Sequence, residues 1–174
     1  MPRKGSAAAH QHKEHAPSRA RCGVLTVSDS RTRATDETGQ VLRSGLERAG
    51  HQVVYYEFVP DLVAEIRSSV REARGPPHRC DVLVINGGTG MTRRDVTVEA
   101  VRPLLDKELP GFGELFRQIS YKSIGSPAWL SRALAGTHKG MLVACLPGSP
   151  QAAEPAMKGL LLPEIGHILG MLRR

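Results

Sequence analysis

The chain has 174 residues, of which 40% are hydrophobic and 4% aromatic, and it carries a formal net charge of +7. This length fits one domain that buries roughly 70% of its unfolded surface without needing disulfides, and no apolar run approaches the ~20 residues of a membrane span. The three cysteines, Cys22, Cys80 and Cys145, lack CxxC spacing and each falls in or beside an apolar segment, which predicts reduced, buried thiols in a cytoplasmic protein.

Residues 1–21 hold five basic side chains against Glu14 alone, so +4 of the +7 lies there and only +3 on the remainder. The segment is rich in Ala, His, Ser and Pro, with no large aliphatic residue after Met1. Such a composition cannot bury enough surface to fold, and a disordered basic tail is expected. The longest apolar stretch in it, Ala7-Ala8-Ala9, is too short for a secretory signal. Charge placed on a tail argues against a folded nucleic-acid-binding face.

The domain is predicted over 22–174. Gly23-Val24-Leu25-Thr26-Val27-Ser28 reads as a first strand. A polar loop over 29–38 leads to a helix over 39–49, with Val41, Leu42, Gly45, Leu46 and Ala49 on one face and Gly50 as its stop. Residues 53–59 form a second strand. Pro60-Asp61 opens a helix whose apolar face is Leu62, Val63, Ile66, Val70 and Ala73, ended by Gly75-Pro76-Pro77. Residues 81–85 form a third strand. Helical segments are expected near 98–105, 111–121 and 127–135, a fourth strand at Met141–Leu146, and helical sequence to the end, interrupted by Pro163 and Gly166. The terminal run Leu160, Leu161, Leu162, Ile165, Ile168, Leu169 and Leu172 suits either the core or a subunit interface. The lone Trp129 reads as packing.

Alternating strands and helices predict an α/β fold, a three-layer, mostly parallel sheet with helices on both faces. Ligands of such sheets bind beyond the carboxyl ends of the strands. Four polar or glycine-rich loops follow strands: Ser28-Asp29-Ser30, Pro60-Asp61, Gly87-Gly88-Thr89-Gly90, and Pro147-Gly148-Ser149-Pro150. They are expected to converge on one rim. The glycine loop, with a helix N-terminus behind it, suits phosphate. It is neither a dinucleotide fingerprint, because the first strand ends in Ser28-Asp29-Ser30-Arg31, nor a P-loop, because no lysine precedes a Ser/Thr there. Arg93 and Arg94 suit phosphate and Asp95 a metal. Asp61 and Asp95, on different loops, could serve Mg²⁺, which takes one or two carboxylates plus phosphate oxygens. Either could equally cap a helix, and Asp95 could pair with a neighbouring arginine. The histidines lack zinc-ligand spacing.

Five strings, TVSDS, GGTGMTRRDVT, PGFGELFRQISY, LSRALAG and LPGSP, stand in this order. Together they resemble the MoaB/MogA molybdenum-cofactor proteins over about residues 20–170, with PGFGELFR and LSRA closer to the MoaB branch. The resemblance implies a molybdopterin-binding α/β fold in a homotrimer or homohexamer. It implies Mg²⁺- and ATP-dependent adenylylation of molybdopterin, with Asp61 and Asp95 as the catalytic, metal-holding pair. It places Ser28, Asp29, Ser30, Gly87, Gly88, Thr89, Gly90, Arg93, Arg94, Pro147, Gly148 and Ser149 around the nucleotide and its phosphates, and Ser120, Ser131 and Arg132 against the pterin and its phosphate. A non-catalytic molybdopterin-binding or scaffold protein would keep the same loops. Adenylyl transfer brings two negative groups together, so amides, arginines and a metal ion are the residue types it needs.

Overall fold

The computed structural model describes residues 17–174; residues 1–16, most of the expected tail, lie outside it. Six strands form one sheet: β1 (Arg21–Val27), β2 (Gln52–Val59), β3 (Val82–Asn86), β4 (Lys107–Glu108), β5 (Leu134–His138) and β6 (Met141–Leu146), in the order β2-β1-β3-β6-β5-β4. The first strand begins at Arg21, two residues before the expected start. The pairs β1·β2, β1·β3 and β3·β6 are parallel, while β5 and β4 extend the sheet with antiparallel pairing.

Each central strand sends alternate side chains to opposite faces, the period-two geometry of a strand buried on both sides. Val24, Val82, Val84, Leu142 and Ala144 face one layer. There they pack on Leu42 and Leu46 of α1 (Glu37–Arg48), Phe116 of α4 (Pro110–Ile124), Ala153 of α5 (Pro150–Ala156) and Leu169 of α6 (Ile165–Leu172). Leu25, Leu83, Ile85 and Val143 face the other, against Ile66 and Val70 of α2 (Val63–Arg74) and Val98 and Val101 of α3 (Thr97–Val101). The three-layer arrangement matches the expectation. The terminal leucine run goes into the core: Leu161, Ile165 and Leu169 are buried, and Leu160, Leu162, Ile168 and Leu172 pack against them.

Two predicted elements are corrected. The helix expected over 127–135 is a 3-10 turn, Ser126–Leu130, followed by β5, and the expected strand count of four rises to six with β4 and β5. Ala128 to Ala135 has helical composition, but Leu134–His138 is buried throughout and pairs with β6 around a two-residue turn, Lys139-Gly140. Both turn residues have positive φ, 47° and 77°, as a tight hairpin requires. Gly136 marks the strand as well. A Cβ there would stand 2.5 Å from the Lys107 carbonyl oxygen, so β4 can cross only a glycine. Trp129 is not packing: it is 72% exposed.

Because β2, β1, β3 and β6 are parallel, their carboxyl ends share one rim. The chain passes from β1 outward to β2 and then back across to β3, which makes the gap between β1 and β3 the switch point where α/β sheets bind ligands.

Candidate functional site

The glycine loop leaves β3 at Asn86 and is held by backbone bonds from both sides. The Gly87 N–H donates to the Leu146 carbonyl over 3.0 Å, the Thr97 N–H to the Gly88 carbonyl over 3.0 Å, and the Thr97 hydroxyl to the Gly87 carbonyl over 2.8 Å. Gly87 and Gly88 have φ of 97° and 64°. Any Cβ would strike the Val27 carbonyl at 2.2 Å or the Thr97 hydroxyl at 2.3 Å, so both positions admit only glycine. Neither the Gly88 nor the Thr89 N–H has an acceptor among the described residues, which leaves two backbone donors for an anion. The helix behind the loop, α3, is only five residues long. Its first N–H is taken by Gly88, so the loop amides rather than a long helix dipole carry any anion binding.

Three carboxylates gather at this loop. Asp29, after β1, accepts from the Asp61 N–H at 3.2 Å, and its other oxygen is paired with Arg94. Asp61, after β2, lies so close to Gly88 that a Cβ there would come within 2.9 Å of its Oδ1. Burial, and then the charges of Asp29 and Asp95, push the Asp61 carboxyl above the usual carboxylate range. Burial also works upward on Asp95. The Thr92 hydroxyl (2.6 Å) and N–H (2.8 Å), with the Gly90 backbone and Arg132, outweigh it and bring that carboxyl below its ordinary value. A cation fits this arrangement, because it would relieve the crowding that raises Asp61. Among the described residues no three His, Cys, Asp or Glu side chains close around one point. Metal binding here would therefore draw on a ligand's phosphate oxygens.

Against the same loop, with Asp95 on its border, lies a cleft of about 380 Å³, within the range of small-ligand sites. Phe116, Ile124, Ala128 and Leu130 give it an apolar wall, while Thr89, Asp95, Ser120 and Ser131 add polar groups, and Pro147, Gly148 and Ser149 close one end. The Ser131 hydroxyl is buried with no hydrogen-bond partner. A buried polar atom in that state costs about 1–3 kcal/mol until something satisfies it.

Residues 23–167 match the family described as "Probable molybdopterin binding domain". The chain is 51% identical over 165 residues to a Bacillus cereus protein named molybdenum cofactor biosynthesis protein B, covering 94% of this chain and 97% of that one.

The chain belongs to the MoaB/MogA molybdopterin-binding family.

Its fold agrees with that placement. A crystal structure of a molybdenum cofactor biosynthesis protein B superposes with a TM-score of 0.87 at 51% identity, covering 91% of this chain and 99% of that one. The tungsten-cofactor-synthesizing MoaB of Pyrococcus furiosus does so at 0.82 and 38%, covering 91% and 100%. Relatives of this name place the chain in the MoaB branch, with a role in molybdenum cofactor biosynthesis and molybdopterin binding. No helix among the described residues is long and apolar enough to cross a membrane.

Most residues singled out by the family motifs meet at this rim. Gly88, Thr89, Gly90, Asp95, Ser120, Ser131, Pro147, Gly148 and Ser149 border the cleft, and Asp29, Asp61 and Arg94 form the carboxylate side. The capping roles open to the aspartates are not used: α2 is preceded by Leu62 and α3 by Val96, neither with a side-chain cap. Asp95 does not pair with its neighbouring arginines either, since Arg94 reaches Asp29, 65 residues away. The Ser28 hydroxyl turns inward and accepts from the N–H groups of Ser30 (3.3 Å) and Arg31 (3.2 Å), shaping the loop. Ser30 and Arg93 are exposed. Arg132 does not border the 380 Å³ cleft; its guanidinium is bound to the backbone of the glycine loop.

Asp36 was not singled out from the sequence. It is fully buried and accepts from the Thr26 hydroxyl (2.6 Å), the Tyr56 hydroxyl (2.8 Å) and the Gly39 N–H (3.0 Å). Thr38, at the start of the same helix, donates to the Gly148 carbonyl over 2.8 Å. This ties the first turn of α1 to the loop after β6. The one available signal was an aspartate three residues before a glycine at a helix start, the spacing of an N-cap.

Proposed function

We propose that this chain transfers the adenylyl group of ATP to molybdopterin, with Mg²⁺, giving adenylylated molybdopterin and pyrophosphate. The observation that carries the reading is the arrangement around one glycine loop. A cleft with an unsatisfied serine hydroxyl adjoins a crowded set of carboxylates, and Asp95 belongs to both. Two phosphate-bearing substrates brought together across that loop would place the reacting groups near the Gly88 and Thr89 amides.

In the reaction an oxygen of the pterin's terminal phosphate attacks the α-phosphorus of ATP. A new P–O bond forms, the α–β bridge breaks, and the electron pair leaves with pyrophosphate. Asp61 and Asp95 would hold Mg²⁺, which would supply neutralisation of phosphate charge. The loop amides orient the attacked phosphate, Arg93 and, once released from Asp29, Arg94 meet the leaving pyrophosphate, and Ser120 and Ser131 hold the pterin. Preorganised donors of this kind stabilise charge that develops only in the transition state. Self-association belongs to the same reading. It draws support from exposed apolar side chains on α4 and the turn after it, Leu115, Tyr121, Ile124 and Trp129.

The test is purified protein with molybdopterin and Mg-ATP, followed by chromatography for adenylylated product and a pyrophosphate count. Product that disappears with EDTA supports the reading. Asp95→Asn is expected to lower the rate at least ~10²-fold with little change in pterin binding, because a metal contact matters most as charge develops; unchanged turnover in that variant removes the assignment. A binding-only protein is the second reading, favoured by the lack of three converging metal ligands among the described residues. Bound molybdopterin without product, in folded protein, would establish it.

A further inference from the structure

Arg132 makes four bonds, and all of them end on the segment running from the glycine loop into α3. Its own N–H donates to the Thr89 carbonyl over 3.3 Å. Its Nε donates to the Gly90 carbonyl over 2.8 Å, and one terminal nitrogen donates to the Asp95 carbonyl over 2.9 Å. The other terminal nitrogen is paired with Glu99 of α3. Arg132 borders a second, polar cleft of about 280 Å³ and not the 380 Å³ cleft beside the loop, while Ser131 borders both.

We propose that Arg132 is a positioning residue that fixes the Asp95 backbone, with Glu99 holding it in place, rather than a ligand of the substrate phosphate. The inference rests on the adenylyltransfer reading of the site. The loop has no sheet or helix bonds of its own between Gly88 and Asp95, so its shape depends on what holds its carbonyls. The planar fork of an arginine offers two carbonyls separate nitrogens in fixed geometry, whereas a lysine offers one rotatable nitrogen. Turning that fork toward a phosphate would strand the Gly90 and Asp95 carbonyls and free the loop that carries the Asp95 carboxylate. The Asp95 carboxylate packs against Gly90, where a Cβ would come within 2.9 Å of its Oδ2, and it accepts from Thr92 of the same loop, so the carboxylate is placed by the loop. Misplacement of a reacting group by about 1 Å can cost ~10²-fold in rate.

Arg132→Lys and Glu99→Gln, measured against the native chain, decide between the two roles. The readouts are amide exchange over residues 88–96, the Kd for molybdopterin, the Kd for Mn²⁺ by electron paramagnetic resonance in the presence of ATP, and kcat against KM. A positioning role predicts faster exchange confined to that loop in Arg132→Lys, molybdopterin Kd within about 2-fold of native, Mn²⁺ binding weakened ~10-fold, and a fall in kcat with KM for the pterin unchanged. Glu99→Gln should move the same quantities in the same direction by less, and the double variant should be no worse than Arg132→Lys, because the two act as one unit. The proposal is overturned if loop exchange is native in Arg132→Lys. It is equally overturned if molybdopterin Kd rises ~10-fold there while Glu99→Gln, which releases the guanidinium, binds the pterin as well as or better than native. Should the native chain take neither Mn²⁺ nor ATP, the adenylyltransfer reading fails, and loop exchange alone still decides what Arg132 holds.

Discussion

Asp29, Asp61 and Asp95 stand on three loops but share one patch of space, and Asp61 bears most of the resulting strain. Its carboxyl is pushed up by burial and then by its two acidic neighbours. A folded-state pKa above the unfolded one means that the folded chain prefers the protonated acid. The associated stability is present below the ordinary carboxylate range and is lost as pH rises through the raised value. At neutral pH the protein therefore carries a penalty at Asp61. Asp61→Asn should raise Tm at pH 7, and the gain should shrink as pH falls into the ordinary carboxylate range. Mg²⁺ with nucleotide should raise Tm of the native chain and not that of Asp61→Asn. Differential scanning calorimetry across pH, with and without Mg-ATP, checks both statements; a variant less stable at pH 7 would show that Asp61 is a structural partner instead.

At the scale of elements, α1 matters to the site through its first turn. Asp36 caps the helix and also takes hydrogens from β1 and β2 through Thr26 and Tyr56. Gly39 is required beneath it, since a Cβ there would fall 1.9 Å from Asp36 Oδ2. Asp36→Ala removes the cap and strands two hydroxyls, at an expected cost of about 3 kcal/mol. Urea unfolding should show a lower midpoint with an unchanged slope. The sheet's central strands were legible because strands buried on both faces read as unbroken apolar runs, Val82 to Ile85 being the clearest. The rim was legible because each of its loops follows such a run. The strand Leu134–His138 was not, because Ala, Leu and Arg before it favour a helix locally and only the crossing of β4 and the Lys139-Gly140 turn decide otherwise. Asp36 and the partners of Arg132 were hidden for a different reason. Their meaning lies in bonds to residues such as Tyr56, 20 positions away, and Gly90, 42 away, which no local pattern encodes.

For the whole molecule, the core takes up Leu161, Ile165 and Leu169 of the leucine-rich C-terminus, with Leu160, Leu162, Ile168 and Leu172 packed against it. The exposed apolar side chains gather instead on α4 and the turn after it, where Trp129 is 72% exposed and Tyr121 63%. Exposed apolar groups that cluster mark association surfaces more often than scattered ones do. If copies of the chain meet there, dilution should shift the emission of Trp129, the only tryptophan, to the red, and sedimentation velocity should show the larger species dissociating in step. Emission independent of concentration, with a single monomeric boundary, would remove this face from consideration.

The exposed stretch from Met91 to Arg94 belongs to neither strand nor helix and carries two adjacent arginines at its tip. Trypsin, which cuts after arginine in chain that can extend into its active site, should nick the folded protein here. Phosphates that draw Arg93 and Arg94 inward would shield the same bonds. A gel of protease-treated protein, with and without nucleotide, would then report occupancy of the rim for any variant, active or not, without a turnover assay.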